Sequence, residues 1–283
     1  MKKGLVMEGG SMRGMFTAGV TDVLMENGVV FDGAIGVSAG ATFGCNYKSR
    51  QIGRTLRYNK RFAKDPRFCS FRSLIRTGDI FNAGFAYHTL PFELDIFDGK
   101  TFEENPMAFY LVCTDVKTGK AVVHRMDKVN DEELEWMRAG ASMPLVSRIV
   151  RVGGYELLDG GVADSIPLRR MEALGYEQNV VILTQPPDFV KKKNSMLPLI
   201  RARYRHYPEF VRAVATRHFR YNRALKYVHR QAKEGKAFII QPDASLCIPN
   251  IEHDPDELQR VYDIGRRIGE EKLEEVQAFL AKS

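Results

Sequence analysis

Residues 4–40 read GLVMEGGSMRGMFTAGVTDVLMENGVVFDGAIGVSAG, and they carry the strongest fold signal in the chain. The apolar run at 4–8 meets two glycines, which predicts a buried strand that enters a tight turn. Apolar residues at nearly helical spacing predict a helix over 14–27, which ends at Asn-Gly. A second strand is expected over 29–37 and a further helix over 38–49. This order of strand, helix, strand and helix favours an α/β fold, in which a parallel sheet carries helices on its faces.

The remainder of the chain predicts more elements of the same type. Apolar runs that flank glycines predict two hairpins, one formed by 108–115 with 120–126 and one within 149–158. The same patterns predict further helices and buried strands, namely helices over 131–141, 167–174, 196–234 and 255–281 and strands over 179–184 and 237–241.

The domain organisation is expected to be simple. No internal repeat or low-complexity linker divides the sequence, so residues 1–283 are expected to form a single domain. Residues 50–105 show no strand alternation and are expected to be mainly helical and irregular. Together with 186–235, they are the segments that we expect to form a helical cap over a site, and the helix at 255–281 closes the chain.

Composition excludes several classes of protein. The chain has 283 residues, of which 44% are hydrophobic and 27% charged, so it is neither disordered, collagen-like nor a coiled coil. It holds no run of 18 apolar residues, and the N-terminal lysines are not followed by the 7–15 apolar residues of a secretory signal. We therefore expect a cytoplasmic protein. Its four cysteines are scattered and expected to be reduced, and they match neither a zinc nor a redox motif.

Positive charge is concentrated in one segment of the chain. The net charge is +7, yet residues 191–236 alone hold 14 Lys or Arg against two acids. A basic stretch interleaved with Tyr and Phe suits an anionic surface such as membrane phosphates or nucleic acid, and a solvated helix face is an equal alternative. Because no nucleic-acid-binding motif accompanies the charge, we expect no nucleic-acid partner. Peripheral contact with the anionic inner membrane surface is the expectation for 191–236.

The sharpest local motif is Gly36-Val37-Ser38-Ala39-Gly40, a G-x-S-x-G. In this pattern the serine occupies a strained turn between a strand and a helix, and glycines relieve the crowding on either side. The helix that follows directs its N-terminal N–H groups at developing negative charge. Ser38 is therefore a candidate nucleophile, and the alternative is a serine that caps a helix after a glycine-rich turn.

A glycine-rich turn follows the first predicted strand, where residues 9–14 read Gly-Gly-Ser-Met-Arg-Gly. Such a turn at a helix N-terminus offers backbone N–H donors to an oxyanion. Nucleotide binding is the competing interpretation, but the spacing does not match the dinucleotide fingerprint, and Met15 stands where a P-loop has lysine. An ordinary strand-to-helix turn is the third alternative.

The third motif is Asp159-Gly160-Gly161, which follows the strand-like run at 155–158. A carboxylate at a strand end with two glycines behind it can reach a site without obstruction, so Asp159 is a candidate base for Ser38. The alternative is an ordinary Asp-Gly turn.

These three motifs, in this order, resemble the patatin-like phospholipase family. Weaker similarities at 140–144 and 162–167 extend the resemblance over roughly residues 4–185. The resemblance implies a three-layer sandwich with a mainly parallel sheet and helices on both faces. It also implies a Ser-Asp dyad without a metal or an organic cofactor, in which Ser38 is the nucleophile and Asp159 the base.

The resemblance also assigns roles around the dyad. Backbone N–H groups of Gly9, Gly10 and Ser11 would form the oxyanion hole, and Arg13 would hold the turn or meet substrate phosphate. The supporting glycines would be Gly14, Gly36, Gly40, Gly160 and Gly161. The chain departs from the family twice, with Ser11 in place of a third glycine and Glu8 in place of an aspartate. None of the six histidines has a distinctive setting, so a Ser-Asp-His triad is less favoured.

The function expected from these observations is that of a serine acyl hydrolase. It would cleave a lipid ester, as a phospholipase A or a lysophospholipase does, through an acyl-enzyme. A soluble carboxylesterase or acyltransferase would use the same motifs, and a non-catalytic phosphate- or lipid-binding module would use the glycine-rich turn alone.

Overall fold

An eight-stranded mixed sheet forms the centre of the molecule in the computed structural model, which describes residues 1–282. The strands are β1 (Lys3–Met7), β2 (Gly33–Val37), β3 (Ala108–Asp115), β4 (Ala121–Arg125), β5 (Val150–Val152), β6 (Tyr155–Asp159), β7 (Gln178–Ile182) and β8 (Ala237–Ile240). They lie in the order β5-β6-β3-β2-β1-β7-β8, with β4 paired to β3. The five neighbouring strands β3, β2, β1, β7 and β8 are parallel to one another. β4 and β6 pair antiparallel with β3, and β5 pairs antiparallel with β6.

Helices occur between the strands and after them. They are α1 (Gly14–Glu26), α2 (Ala39–Thr42), α3 (Cys45–Lys48), α4 (Arg54–Phe62), α5 (Phe71–Thr77), α6 (Gly99–Glu104), α7 (Asp131–Ala141), α8 (Leu168–Ala173), α9 (Leu197–Arg203), α10 (Pro208–Lys233) and α11 (Pro255–Leu280). A π-helix spans Phe85–Leu94, and short 3₁₀ turns span Ser11–Arg13 and Gly160–Val162. No helix of residues 1–282 is both long and apolar enough to cross a membrane.

The sheet is buried on both faces, which makes the fold a three-layer α/β sandwich. Alternate residues of β1 belong to different cores, since Leu5 and Met7 join one and Val6 joins the other. Helices α1 and α11 cover the first face, and α8 and α10 cover the second. Near-continuous apolar strands are typical of parallel sheets with helices on both faces. The predicted fold class is therefore confirmed.

Most predicted elements are present, and two differ in extent. The strand expected over 29–37 begins only at Gly33, because Val29 still bonds back to Leu24 at the end of α1 and Asp32 lies just before the β1 pairing. The helix expected over 38–49 divides into α2 and α3 around Gly44. The helices expected over 196–234 are α9 and α10. They are separated before Pro208, whose ring nitrogen has no proton to donate to a continuing helix.

The register along β3 joins two distant parts of the chain. β2 pairs with β3 as far as Val37 opposite Val112, and β6 pairs with the following residues, with Asp159 opposite Cys113. Because β4 occupies the other edge of β3 at Cys113 and Thr114, β6 must use the edge that β2 has just left. The carboxyl ends of β2 and β6 therefore meet, and the residues that follow or end them lie side by side.

Candidate active site

Ser38 occupies the turn between β2 and α2. Its backbone has φ 53° and ψ −123°, a conformation that is strained for any residue with a side chain. Its neighbours explain why glycines flank it. A Cβ on Gly36 would lie 2.4 Å from the carbonyl oxygen of Gly40, and a Cβ on Gly40 would lie 2.5 Å from that of Met7. The two glycines thus allow the turn to fold against itself and against β1.

Ser38 and Asp159 form a direct hydrogen bond. Ser38 Oγ donates to Asp159 Oδ2 at 2.6 Å, and the two residues are only 8% and 7% exposed. The other carboxylate oxygen, Oδ1, accepts a bond of 2.7 Å from the N–H of Gly161. Thr114 Oγ1 donates to the Asp159 carbonyl at 2.8 Å, which anchors the end of β6 to β3. The carboxylate is thereby held in one orientation toward the serine.

The surroundings of Asp159 raise its basicity. Burial raises the pKa of its carboxyl above the ordinary value of 3.8. The hydrogen bond from Ser38, the positive charge of Arg217 and the N–H of Gly161 all lower that pKa, in this order of size. A carboxylate with a raised pKa accepts a serine proton more readily than an exposed one.

No histidine takes part in this pair. Within residues 1–282, neither Ser38 nor Asp159 hydrogen-bonds to a histidine. His124, for example, bonds to Glu133 and stacks on Trp136 instead. The geometry is thus that of a two-residue arrangement. No cluster of His, Cys, Asp and Glu in the described chain has the form of a metal site.

The glycine-rich turn lies directly beside Ser38. A Cβ built on Gly9 would lie 3.3 Å from the Cβ of Ser38. Within the described chain, the N–H groups of Gly9, Gly10 and Ser11 make no hydrogen bond to a protein acceptor. Ser11 has φ 49°, in the left-handed region that favours glycine, which gives a physical reason for the third glycine of the family pattern. Its hydroxyl donates to the Met143 sulfur at 3.5 Å.

Glu8 anchors this turn. One carboxylate oxygen accepts bonds from the N–H and the hydroxyl of Thr184, at 2.6 and 3.2 Å, and the other accepts a bond of 2.6 Å from the Tyr221 hydroxyl. The carboxylate therefore ties the end of β1 to the end of β7 and to α10. Sequence reasoning noted Glu8 only as a departure from the family, and it gave no signal for Thr184 or Tyr221.

The remaining predicted residues lie at the same edge of the sheet. Gly14 begins α1, and Gly160 and Gly161 form the 3₁₀ turn after Asp159. Arg13 ends the turn that carries Ser11, and its side chain makes no hydrogen bond within the described chain. Sequence reasoning missed Arg217 of α10, whose charge acts on Asp159, because it appeared only as one cation of a basic segment.

An apolar cavity of about 160 Å³ opens at Ser38 and Ser11. Much of its wall comes from the segment at 50–105, which supplies α4, the π-helix and the loops between them. Most of the side chains that line it are apolar and include Phe68, Phe81, Leu90, Phe97, Met126 and Met137. Whether this segment opens and closes as a cap stays a prediction.

Comparisons with known proteins identify the family. The model for patatin-like phospholipases matches residues 5–171, more than half of the chain, so the chain belongs to the patatin-like phospholipase family and the resemblance seen in the sequence is confirmed. A second model, for a domain of unknown function called DUF6363, matches residues 207–281.

Several known proteins are similar to this chain at low identity. The uncharacterized protein YjjU of Escherichia coli is 27% identical over 188 residues, which are 64% of this chain and 52% of that protein. The uncharacterized NTE family protein Rv2565 of Mycobacterium tuberculosis is 31% identical over 206 residues, which are 70% of this chain and 33% of that protein. Lysophospholipase NTE1 of Coccidioides immitis is 29% identical over 185 residues, which are 62% of this chain and 11% of that protein. The match thus spans about half of the first relative and a third or less of the others.

Among solved structures, VipD from Legionella pneumophila is similar with a TM-score of 0.43 at 12% identity, over 95% of this chain and 67% of that chain.

Proposed function

We propose that this protein is a serine acyl hydrolase that cleaves carboxylic esters of lipids, as a phospholipase A or a lysophospholipase does. The observation that carries the proposal is the 2.6 Å hydrogen bond from Ser38 to the buried Asp159 at the mouth of an apolar cavity. Membership of the patatin-like phospholipase family supports the same reaction class. The lysophospholipase named among the relatives supports a lipid ester as the substrate.

The proposed reaction has two halves. Ser38 Oγ attacks the ester carbonyl while its proton passes to Asp159 Oδ2, and the resulting oxyanion accepts hydrogen bonds from the free N–H groups of Gly10 and Ser11. The C–O bond to the alcohol then breaks, and Asp159 returns the proton to the leaving alkoxide. In the second half Asp159 takes a proton from water, the hydroxide attacks the acyl-enzyme, and the fatty acid leaves as Ser38 recovers its proton.

The cavity favours a lipid over a short ester. Its apolar wall would hold an acyl chain, and burial of each methylene contributes about 0.8 kcal/mol, or about fourfold in kcat/KM. In a series of p-nitrophenyl esters, we expect kcat/KM to rise by about this factor per methylene from butyrate toward octanoate. A series that is flat, or that falls beyond butyrate, would support the carboxylesterase alternative.

A fluorophosphonate probe tests the nucleophile. We expect the wild type to be labelled and Ser38→Ala and Asp159→Asn not to be labelled. The exposed residues Ser195 and Asp188 provide matched controls, and Ser195→Ala and Asp188→Asn should react as the wild type does. Labelling that survives Asp159→Asn would refute the dyad. A folded wild type that neither reacts nor hydrolyses esters would favour a non-catalytic binding module.

We also propose that the basic segment at 191–236 contacts an anionic membrane surface. Leu199 of α9 and Phe219 of α10 are 54% and 65% exposed among cations, which suits a surface that inserts apolar side chains between anionic headgroups. The inner face of α10 is buried, so only its outer face is available for contact.

Vesicle flotation tests this contact. We expect binding to vesicles that contain phosphatidylglycerol, weaker binding to phosphatidylcholine alone, and loss of binding for Leu199→Asp. The control is Leu174→Asp, since Leu174 is also exposed but lies at the end of α8. Equal binding to both vesicle types would contradict the proposal.

A further inference from the structure

Three cationic side chains from separate parts of the chain gather beside the glycine-rich turn. Arg13 ends that turn. Lys191 lies in the loop after β7, and its Nζ is 4.7 Å from the centre of the Tyr221 ring. The Tyr221 hydroxyl donates to Glu8, the residue just before the glycine-rich turn, so Lys191 lies close to that turn. Arg217 comes from α10. Two of the three, Lys191 and Arg217, lie outside the region matched by the phospholipase model, which ends at residue 171.

Arg217 also reaches the dyad. Its Nη2 lies 3.1 Å from the point that a Cβ on Gly161 would occupy, and Gly161 donates its N–H to Asp159. The same nitrogen lies 3.4 Å from the Ser165 hydroxyl. The guanidinium therefore approaches Asp159 from the Gly161 side. None of the three cations lines the apolar cavity, which opens at Ser11 and Ser38.

These cations lack acidic partners. Within residues 1–282, no carboxylate lies within 4 Å of Arg13, Lys191 or Arg217. The Nε atoms of both arginines are buried without a hydrogen-bond partner. Two acids lie near them, Glu8 and Asp159, and Asp159 is the one whose charge acts most on Arg217. The oxygens of Glu8 already accept bonds from Thr184 and Tyr221. Those of Asp159 already accept bonds from Ser38 and Gly161. Several N–H donors are thus left without an acceptor.

Such an arrangement is costly unless an anion binds. Burial is the largest cause that lowers the pKa of Lys191, to about 8, and the positive charges of Arg217 and Arg13 lower it further. Partly buried cations are normally paired, because leaving them without an acceptor costs free energy. A guanidinium presents two parallel N–H groups that match two oxygens of a phosphate, and an ammonium binds phosphate as a point charge.

We propose that Arg13, Lys191 and Arg217 form a binding subsite for a phosphate group. This inference rests on the proposed function, because in a lipid hydrolase the phosphate would belong to the headgroup side of the substrate. The acyl chain would enter the apolar cavity, and the phosphate would bind beside Gly161, with the scissile ester between them at Ser38. The subsite selects esters that carry a phosphate near the acyl group over neutral glycerides.

The test compares two substrates that differ only in the phosphate. A lysophosphatidic acid and the monoacylglycerol with the same acyl chain are assayed below their critical micelle concentrations. We expect the wild type to prefer the phosphorylated ester, and we expect Lys191→Met to reduce that preference by about tenfold or more, mainly through KM, since a charge-assisted hydrogen bond is lost. The neighbouring residue Lys192 is exposed, and Lys192→Met should keep the wild-type preference.

A second arm separates a headgroup from free phosphate. If the subsite takes the headgroup, inorganic phosphate should compete with lysophosphatidic acid in the wild type and much more weakly in Lys191→Met. If it takes free phosphate as a separate ligand, phosphate should change monoacylglycerol turnover, and the wild type should show no preference between the two esters. No preference together with no effect of phosphate would overturn the subsite.

Two further measurements keep the subsite separate from the catalytic proposal. Fluorophosphonate labelling of Ser38 in the same preparations reports the nucleophile. Labelled protein that shows neither a preference between the two esters nor an effect of phosphate therefore refutes the subsite alone. If no ester is hydrolysed, calorimetric titration with inorganic phosphate still tests the site. We then expect measurable binding in the wild type and in Arg223→Gln, a change on the exposed side of α10, and at least tenfold weaker binding in Arg217→Gln. Equal binding in all three refutes the site.

Discussion

Substitution of Ser38 by glycine or by alanine separates the backbone of the nucleophile turn from its chemistry. Both changes remove the hydroxyl and its bond to Asp159, but only glycine relaxes at φ 53° and ψ −123°. A residue with a Cβ in so sparsely populated a conformation costs about 1–3 kcal/mol. Glycine recovers that amount but loses about 0.5–1 kcal/mol through the greater freedom of the unfolded chain. We therefore expect Ser38→Gly to exceed Ser38→Ala in free energy of unfolding by about 0.5–2 kcal/mol.

Urea denaturation followed by circular dichroism measures this difference, and thermal melting gives a second estimate of about 2–4 °C per kcal/mol for a chain of this size. Ser195 lies on an exposed turn and has no positive φ, so there glycine should be no more stable than alanine. If Ser38→Gly proves no more stable than Ser38→Ala, the strain argument is wrong and the glycines of the motif must be explained by packing alone.

The same geometry determines the pH dependence of activity and the cost of a side chain at Gly40. The active form of Asp159 is the carboxylate, and burial raises its pKa, so kcat/KM should fall as the pH decreases, at a point above 3.8. Arg217→Gln removes a positive charge that lowers this pKa, so it should move the acid limb of the pH–rate profile to higher pH. Arg223→Gln is the control and should leave the acid limb unchanged. Gly40→Ala should cost at least about 2 kcal/mol in free energy of unfolding, measured by urea denaturation, because its Cβ would meet a backbone oxygen at 2.5 Å. Gly84→Ala should cost little, because its Cβ would lie 3.5 Å from its nearest neighbour, Asn82 Oδ1. Equal stability of the two variants would contradict this reasoning.

Local sequence patterns predicted much of the fold. The apolar run before Gly9, the helical spacing that follows and the hairpin residues around Gly119 predicted elements that occur within one or two residues of their expected bounds. These signals are local, because the period of an apolar pattern and the conformational needs of glycine are set by neighbouring residues. Neighbouring residues did not determine where every element begins. The strand expected from residue 29 begins only at Gly33, because its extent depends on pairing with β1.

Local sequence patterns did not predict which residues surround the candidate dyad. Tyr221, Thr184, Lys191 and Arg217 come from the end of β7, from the loop after it and from α10, and no spacing in the sequence relates them to Glu8 or to Asp159. Arg217 looked like one cation among fourteen in a basic segment. Only the packing of α10 against the sheet distinguishes it from the exposed Arg223.

By itself, the sequence determined the α/β class, the family and the identity of the two residues that we propose as nucleophile and base, because strand–turn–helix motifs with obligatory glycines are written locally. The tertiary structure decided that Ser38 and Asp159, 121 positions apart, come within hydrogen-bond distance. It did so through the register of β3, where β6 takes the edge that β2 leaves between Val112 and Cys113. Strand register depends on long-range backbone pairing and on burial, which no local pattern specifies.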